Sequence, residues 1–156
     1  MSIDLTHFVE VIRSRIDYIP DVGIFCGSGL SNITALVQNP VTIPYSDLGD
    51  EFPHSAVQGH KSEIVCGQLG SKNVICFRGR FHFYEGWSTQ PSVIAVRLMA
   101  ALGVRVAIIT NAAGGVYPSY QVGDYMIFQD LINMLGMSDV HPLRGPSNDQ
   151  EGPCFQ

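Results

Sequence analysis

The stretch "VGIFCGSGLSN", residues 22–32, decides the expected fold. Its first part, Val22–Cys26, is a short apolar run bounded by Pro20 and Gly27. A run that is apolar on both faces predicts a strand buried inside a sheet. The glycines and serines that follow predict a turn into a helix, with Ser28 or Ser31 as its cap. The stretch therefore predicts the strand–turn–helix unit of an α/β fold.

Outward from this stretch, helical and strand patterns alternate along the chain. A helix is expected near residues 5–16, because apolar residues repeat there at helical spacing and Asp4 or Thr6 is available as a cap. A second helix is expected over 90–103, with Pro91 in its first turn and Gly103 as its stop. Further strands are predicted at 63–70, 72–77, 104–111 and 122–133, and a long loop at 141–156. We expect a mixed, largely parallel central sheet flanked by helices.

Composition narrows the class of protein. The chain has 156 residues and a net charge of −5, without a basic cluster, so neither nucleic acid nor a membrane surface is an expected partner. The N-terminus does not resemble a signal peptide, and no segment is long enough to cross a bilayer. The cysteines show neither C-x-x-C nor zinc spacing, which predicts a reduced, cytoplasmic protein without a metal site. They are Cys26, Cys66, Cys76 and Cys154.

Polar or glycine-rich loops follow three of the predicted strands, after Cys26, Phe77 and Thr110. In open α/β sheets, ligands bind beyond the carboxyl ends of the strands. The richest loop is "RGRFHFYEG", residues 78–86. Arg80 offers a planar donor fork suited to phosphate, and His82 projects to the same side if the backbone is extended.

Two further residues of this loop add chemistry. Tyr84 falls in the same alternating series and carries a hydroxyl, and Glu85 could orient His82 or balance Arg80. The competing interpretation is a solvated loop, and under both interpretations Phe81 and Phe83 are expected to pack inward. Arg78 is expected to be a surface or supporting charge. The density of polar groups favours a functional loop.

The other loops carry weaker signals. Ser28 lies between glycines that allow close approach of a ligand, but an ordinary turn explains the stretch equally well. His60 follows Gly59 on a loop, where a histidine is more often simply exposed. Asn111 begins "NAAGG", which also fits a plain turn. Together, Ser28, Arg80, His82 and the backbone N–H groups after Asn111 would form a cradle for an oxyanion.

These pieces, in this order, resemble the trimeric purine nucleoside phosphorylases. The resemblance rests on "CGSGL", Gly59–His60, "GRFHFYEG", "LGVRVAIITNAAGG" and "VGD", and it extends to Phe155. It implies phosphorolysis of a purine nucleoside to the free base and a pentose 1-phosphate. Methylthioadenosine phosphorylases remain an alternative, because they share the G-R-x-H core. They typically lack the Y-E-G that follows here.

The resemblance also implies roles for individual residues. No covalent nucleophile, metal or cofactor is implied, since inorganic phosphate is the co-substrate. Asn111 would line the site, Glu85 would hold the cluster, and Phe155 would enter the ribose pocket of a neighbouring subunit in a homotrimer. Phosphate contacts are implied for Ser28, His60, Arg80, His82 and the Ala112 backbone, and a ribose contact for Tyr84.

The chain departs from the family in length. Members are nearly twice as long, so residues 1–156 are expected to form a single partial domain that corresponds to the N-terminal half. The other half carries the purine contacts, which leaves base preference undetermined. A sheet interrupted in this way is expected to expose an edge strand and apolar faces. A non-catalytic module that binds phosphate or joins other subunits is therefore a second alternative.

Overall fold

The computed structural model describes residues 4–53, 61–137 and 141–142. Its strands are β1 (Val22–Phe25), β2 (Gln38–Pro44), β3 (Glu63–Leu69), β4 (Lys72–Arg78) and β5 (Val106–Ile109). Its α-helices are α1 (Thr6–Arg15), α2 (Thr89–Leu102) and the short α3 (Met134–Met137). Three 3-10 helices cover Ser31–Leu36, Tyr45–Leu48 and Phe83–Glu85.

The five strands form one mixed sheet in the order β2–β3–β4–β1–β5. β1 lies between β4 and β5 and is parallel to both, whereas β3 is antiparallel to β2 and β4. Phe25, the last residue of β1, is paired with both Phe77 and Ile109. The expected mixed α/β sheet with flanking helices is confirmed.

Alternating side chains of the sheet form two cores. On one face, Phe25 and Phe77 belong to a cluster that includes Phe8 and Ile12 of α1 and Leu98 of α2. On the other face, a smaller cluster is packed with Ile33 and Val37. It contains Ile24, Cys26, Val65, Val74 and Cys76. Continuous apolar strands are explained by this burial on both sides.

The signals at the ends of α2 match the structure, whereas α1 has Leu5 at its N-cap position and lacks the expected side-chain cap. Asp4 accepts hydrogen bonds from the Thr6 backbone N–H at 2.9 Å and from its hydroxyl at 2.8 Å, at the start of α1. Pro91 lies in the first turn of α2. Gly103 ends α2 in the left-handed conformation with φ 89°, where glycine has no Cβ penalty.

Two local expectations were wrong, and one strand was missed. The helix after Ser28 is a six-residue 3-10 helix without a side-chain cap, and the Thr34 hydroxyl donates to the Ser31 carbonyl at 2.8 Å within it. β2 was not expected, because its Asn and Pro residues are unfavourable in strands. Residues 122–133 do not form a strand, since no neighbouring strand in the described part of the chain pairs with them.

The chain divides into two units, residues 1–112 and 113–156. The first unit contains the sheet, α1 and α2. In the described part of the second, Tyr117 and Tyr120 form an edge-to-face pair, while large apolar side chains such as Ile127 and Ile132 are exposed. The single domain over 1–156 stays a prediction. Among the described residues, no helix has the length and apolar character that a membrane span requires.

Candidate functional site

The three loops singled out in the sequence leave the same edge of the sheet. They follow β1, β4 and β5, which are adjacent and parallel. Because Phe25 is in register with Phe77 and with Ile109, the three loops begin at the same level. This edge is the one at which α/β proteins bind ligands.

The loop after β1 is a tight turn. The Leu30 N–H donates to the Gly27 carbonyl at 3.0 Å, and Gly29 has φ 79°. Ser28 is therefore exposed at the tip of the turn. Gly27 is buried, and a Cβ placed on it would lie 2.3 Å from the Thr110 carbonyl oxygen and 2.8 Å from the Asn111 Cα. Only glycine allows the loops after β1 and β5 to approach this closely.

Thr110 joins these two loops, a role that the sequence reasoning missed. Its hydroxyl accepts a hydrogen bond from the Gly27 N–H at 2.8 Å and donates to the Phe25 carbonyl at 2.9 Å. Its own N–H donates to the same carbonyl at 3.1 Å. The available signal was a hydroxyl residue at the predicted end of a strand, directly before Asn111.

Arg80 connects the loop after β4 with the end of β1. The side chain is half-buried, and its guanidinium carbon lies 6.0 Å from the centroid of the Phe25 ring. Phe81 is buried as predicted and packs edge-on against Phe52 and Trp87. The prediction that Phe83 packs inward was wrong, because it is 47% exposed on a 3-10 helix, where the alternation of an extended strand is lost.

His82 and Tyr84 lie side by side at this edge. Their rings are stacked, with centroids 4.8 Å apart and 14° between the planes. The Glu85 carboxylate accepts a hydrogen bond from the His82 backbone N–H at 2.9 Å, and the Glu85 N–H donates to the His82 carbonyl at 3.0 Å. Glu85 thus fixes the turn that carries His82 and Tyr84.

A buried tyrosine supports the start of the same loop. The Tyr45 hydroxyl donates to the Gly79 carbonyl at 3.1 Å, and Tyr45 is 1% exposed. Burial raises the pKa of the Tyr45 phenol, assisted by Cys26 and Glu63, so the hydroxyl keeps its proton and remains a donor. Gly79 has φ 147°, which is readily adopted only by glycine.

Of the remaining predicted site residues, two are exposed and two lie outside the described residues. Asn111 and Ala112 are exposed, and the Asn111 side-chain amide donates to the Ala112 carbonyl at 3.3 Å. His60 and Phe155 lie outside the described residues. Within the described part of the chain, no group of three His, Cys, Asp or Glu residues is arranged to hold a metal ion.

Comparison with known proteins places this architecture in a family. The sequence model described as "Phosphorylase superfamily" matches residues 21–154. The chain therefore belongs to the phosphorylase superfamily. Purine nucleoside phosphorylase of Rattus norvegicus is 40% identical over 97% of this chain and 52% of its own length. Purine nucleoside phosphorylase 1 of Bacillus subtilis is 43% identical over 92% of this chain and 52% of its own length.

Solved structures of purine nucleoside phosphorylases are also similar to this chain. Purine nucleoside phosphorylase of Schistosoma mansoni in complex with acetate has a TM-score of 0.86 and 34% identity, over 97% of this chain and 55% of that one. Isoform 2 from the same organism, in complex with cytosine and ribose-1-phosphate, has a TM-score of 0.85 and 36% identity, over 96% of this chain and 52% of that one. The resemblance predicted from the motifs is confirmed. The chain spans about half the length of the curated relatives it matches.

Proposed function

We propose that this chain carries the phosphate and ribose subsites of a purine nucleoside phosphorylase. The reaction would be phosphorolysis of the N-glycosidic bond of a purine nucleoside or deoxynucleoside, as part of purine salvage in the cytoplasm. The observation that carries the proposal is the common origin of three loops at the carboxyl ends of β4, β1 and β5. Their polar groups are those that an oxyanion requires.

Phosphate binds through donors from all three loops in this proposal. Arg80 supplies the planar fork, His82 a ring N–H, and Ser28 its hydroxyl at the tip of the exposed turn. The Ala112 N–H adds a backbone donor, and Asn111 lines the same edge. Because these groups are arranged by the sheet before the substrate arrives, little reorganisation is required during the reaction.

The ribose lies over the stacked pair of His82 and Tyr84 in this proposal. Phosphate then attacks the anomeric carbon from below, the bond to the base breaks, and the configuration inverts. The attack needs no covalent enzyme intermediate, so this chain contributes by positioning and electrostatics. His60 is proposed as a further phosphate contact, and Phe155 as a ribose contact supplied to a neighbouring subunit of a homotrimer.

Release of hypoxanthine from inosine tests the proposal. The purified chain is expected to release hypoxanthine only when phosphate is present. Arg80→Ala should lower kcat/KM for phosphate by about 100-fold or more, as the loss of a preorganised donor does elsewhere. Arg13→Ala is a matched control, because Arg13 is an exposed arginine on α1. Equal activity of the two variants would contradict the proposed site.

Two other outcomes distinguish the alternatives. Phosphate binding that Arg80→Ala abolishes, without turnover of any nucleoside, would identify a non-catalytic phosphate-binding module. Among the described residues β5 is an exposed edge strand, which is available for pairing with a strand of another chain, as a module that joins other subunits requires. Preferred turnover of methylthioadenosine over inosine would instead identify a methylthioadenosine phosphorylase.

A further inference from the structure

An ion pair lies directly beneath the Arg80 loop. The Arg78 Nη1 donates to the Glu63 Oε1 at 2.6 Å, and the two side chains are 11% and 21% exposed. Glu63 is the first residue of β3, Arg78 is the last residue of β4, and the two are directly paired across the antiparallel ladder. The pair is therefore fixed at the edge of the sheet from which the site loops leave.

The Arg78 charge extends toward two of those loops. Arg78 stands two residues before Arg80, so their Cα atoms are at most about 7 Å apart. It also reaches the loop after β1: burial raises the pKa of the Cys26 thiol, and the Arg78 charge opposes that rise. Because Phe25 and Phe77 are paired, Cys26 and Arg78, which follow them, stand at the neighbouring ends of β1 and β4.

We propose that Glu63 neutralises Arg78 and thereby limits the phosphate affinity of the adjacent loop. Without the carboxylate, the Arg78 charge would be uncompensated two residues from Arg80, in a partly buried setting where salt screens charges poorly. The loop would then hold phosphate, and the phosphate-bearing product, more tightly. This inference rests on the proposed phosphate site, and it assigns Arg78 and Glu63 as positioning residues that set its field.

Titration calorimetry with inorganic phosphate tests this assignment. Glu63→Gln keeps the shape of the side chain, removes its charge, and should tighten the phosphate Kd about threefold at low salt. Arg78→Gln leaves the Glu63 carboxylate without its cation and should weaken the Kd by about the same factor. The double variant should return to within about twofold of wild type, because both charges are then absent.

The chain contains a matched control pair. Arg15 and Asp47 also form an ion pair, at 3.2 Å, but their side chains are 48% and 36% exposed. Arg15→Gln and Asp47→Asn should leave the phosphate Kd unchanged. Arg78→Lys, which keeps the charge, should stay within about twofold of wild type. Raising the salt concentration should reduce the difference between Glu63→Gln and wild type only slightly, because partly buried charges are screened poorly.

The outcomes separate this inference from the proposed function. If wild type binds phosphate and Arg80→Ala does not, the site stands. Weaker or unchanged phosphate binding by Glu63→Gln would then overturn only the inferred role of the ion pair. A pair with a purely structural role predicts weaker phosphate binding in both single variants. If Glu63→Gln does not fold by circular dichroism, weakening by Arg78→Gln with recovery in the double variant decides instead. Absence of phosphate binding by wild type overturns both.

Discussion

At the residue scale, Gly27 is the position where backbone geometry constrains the site most. A Cβ there meets backbone atoms of Thr110 and Asn111, which cannot move aside as a flexible side chain could. Gly27→Ala should lower the free energy of unfolding by about 3 kcal/mol. Urea unfolding measures the change. Gly70→Ala is the control, because Gly70 has φ 61° but open space around it, and should cost about 1 kcal/mol. Equal losses would contradict the close approach.

Thr110 provides the second test at this scale. Thr110→Val removes the hydroxyl that pairs with the Gly27 N–H and the Phe25 carbonyl and preserves the shape of the side chain. The Gly27 N–H is then left without its acceptor, which should destabilise the chain by about 1–3 kcal/mol. Thr110→Ser keeps the hydroxyl and should recover most of the loss. Thermal unfolding of both variants measures the difference. Equal melting temperatures for the two would contradict the stabilising role of the Thr110 hydroxyl.

Single residues differed in how far the sequence could predict them. Arg80 and His82 could be selected as candidates because their chemistry is unusual at the end of a strand, and their roles in binding stay predictions. Thr110 could not be predicted from the sequence. Its importance depends on the parallel pairing of β1 with β5, two strands that are far apart in sequence. Phe83 was assigned inward by an alternation that applies to strands, and the 3-10 turn at Phe83–Glu85 breaks that period.

At the element scale, strands with apolar side chains on both faces were predicted correctly and irregular elements were not. β1, β3, β4 and β5 are short apolar runs, and α2 carries clear signals at both ends. β2 instead depends on pairing with β3, which overrides the poor strand propensity of Asn39 and Pro40. The apolar residues at 122–133 show the converse, because propensity alone does not make a strand without a partner.

The edge strand β5 is an aggregation hazard. Its residues are exposed, and within the described residues only β1 pairs with it. Ile109→Lys should reduce self-association of the purified chain, because a charge on an edge strand opposes pairing with another edge. Light scattering over a concentration series measures the effect. Leu36→Lys replaces a similarly exposed side chain outside the sheet and should have a smaller effect. Equal effects would indicate general solubility rather than edge pairing.

At the scale of the whole molecule, the first unit concentrates both the packing and the candidate site. The two apolar clusters and the three site loops up to Ala112 all belong to residues 1–112. The packing that orders the loops is therefore the same packing that stabilises this unit. Because Phe25 and Cys26 lie in the two cores and lead directly into the Ser28 turn, loss of core packing should disturb the site loops as well.

Buried titratable groups in that core make the stability of the molecule sensitive to alkaline pH. Burial raises the pKa of the Cys66 and Cys76 thiols to about 12 from 9.0, and it raises that of the Tyr18 phenol to about 12 from 10.0. These groups stay protonated in the folded chain while they ionise in the unfolded chain. Their contribution is complete below about pH 9 and is lost as the pH rises toward 12.

The free energy of unfolding should accordingly fall by roughly 2–3 kcal/mol between pH 8 and pH 10 and change little between pH 7 and pH 8. Urea unfolding of a Cys154→Ser variant, which removes the thiol outside the described residues, measures this dependence. Adding Cys66→Ala should make the fall shallower by about 1 kcal/mol. Cavity formation does not affect this comparison, because it lowers the stability at both pH values alike. A pH dependence that Cys66→Ala leaves unchanged would show that the Cys66 thiol is not the source of the fall.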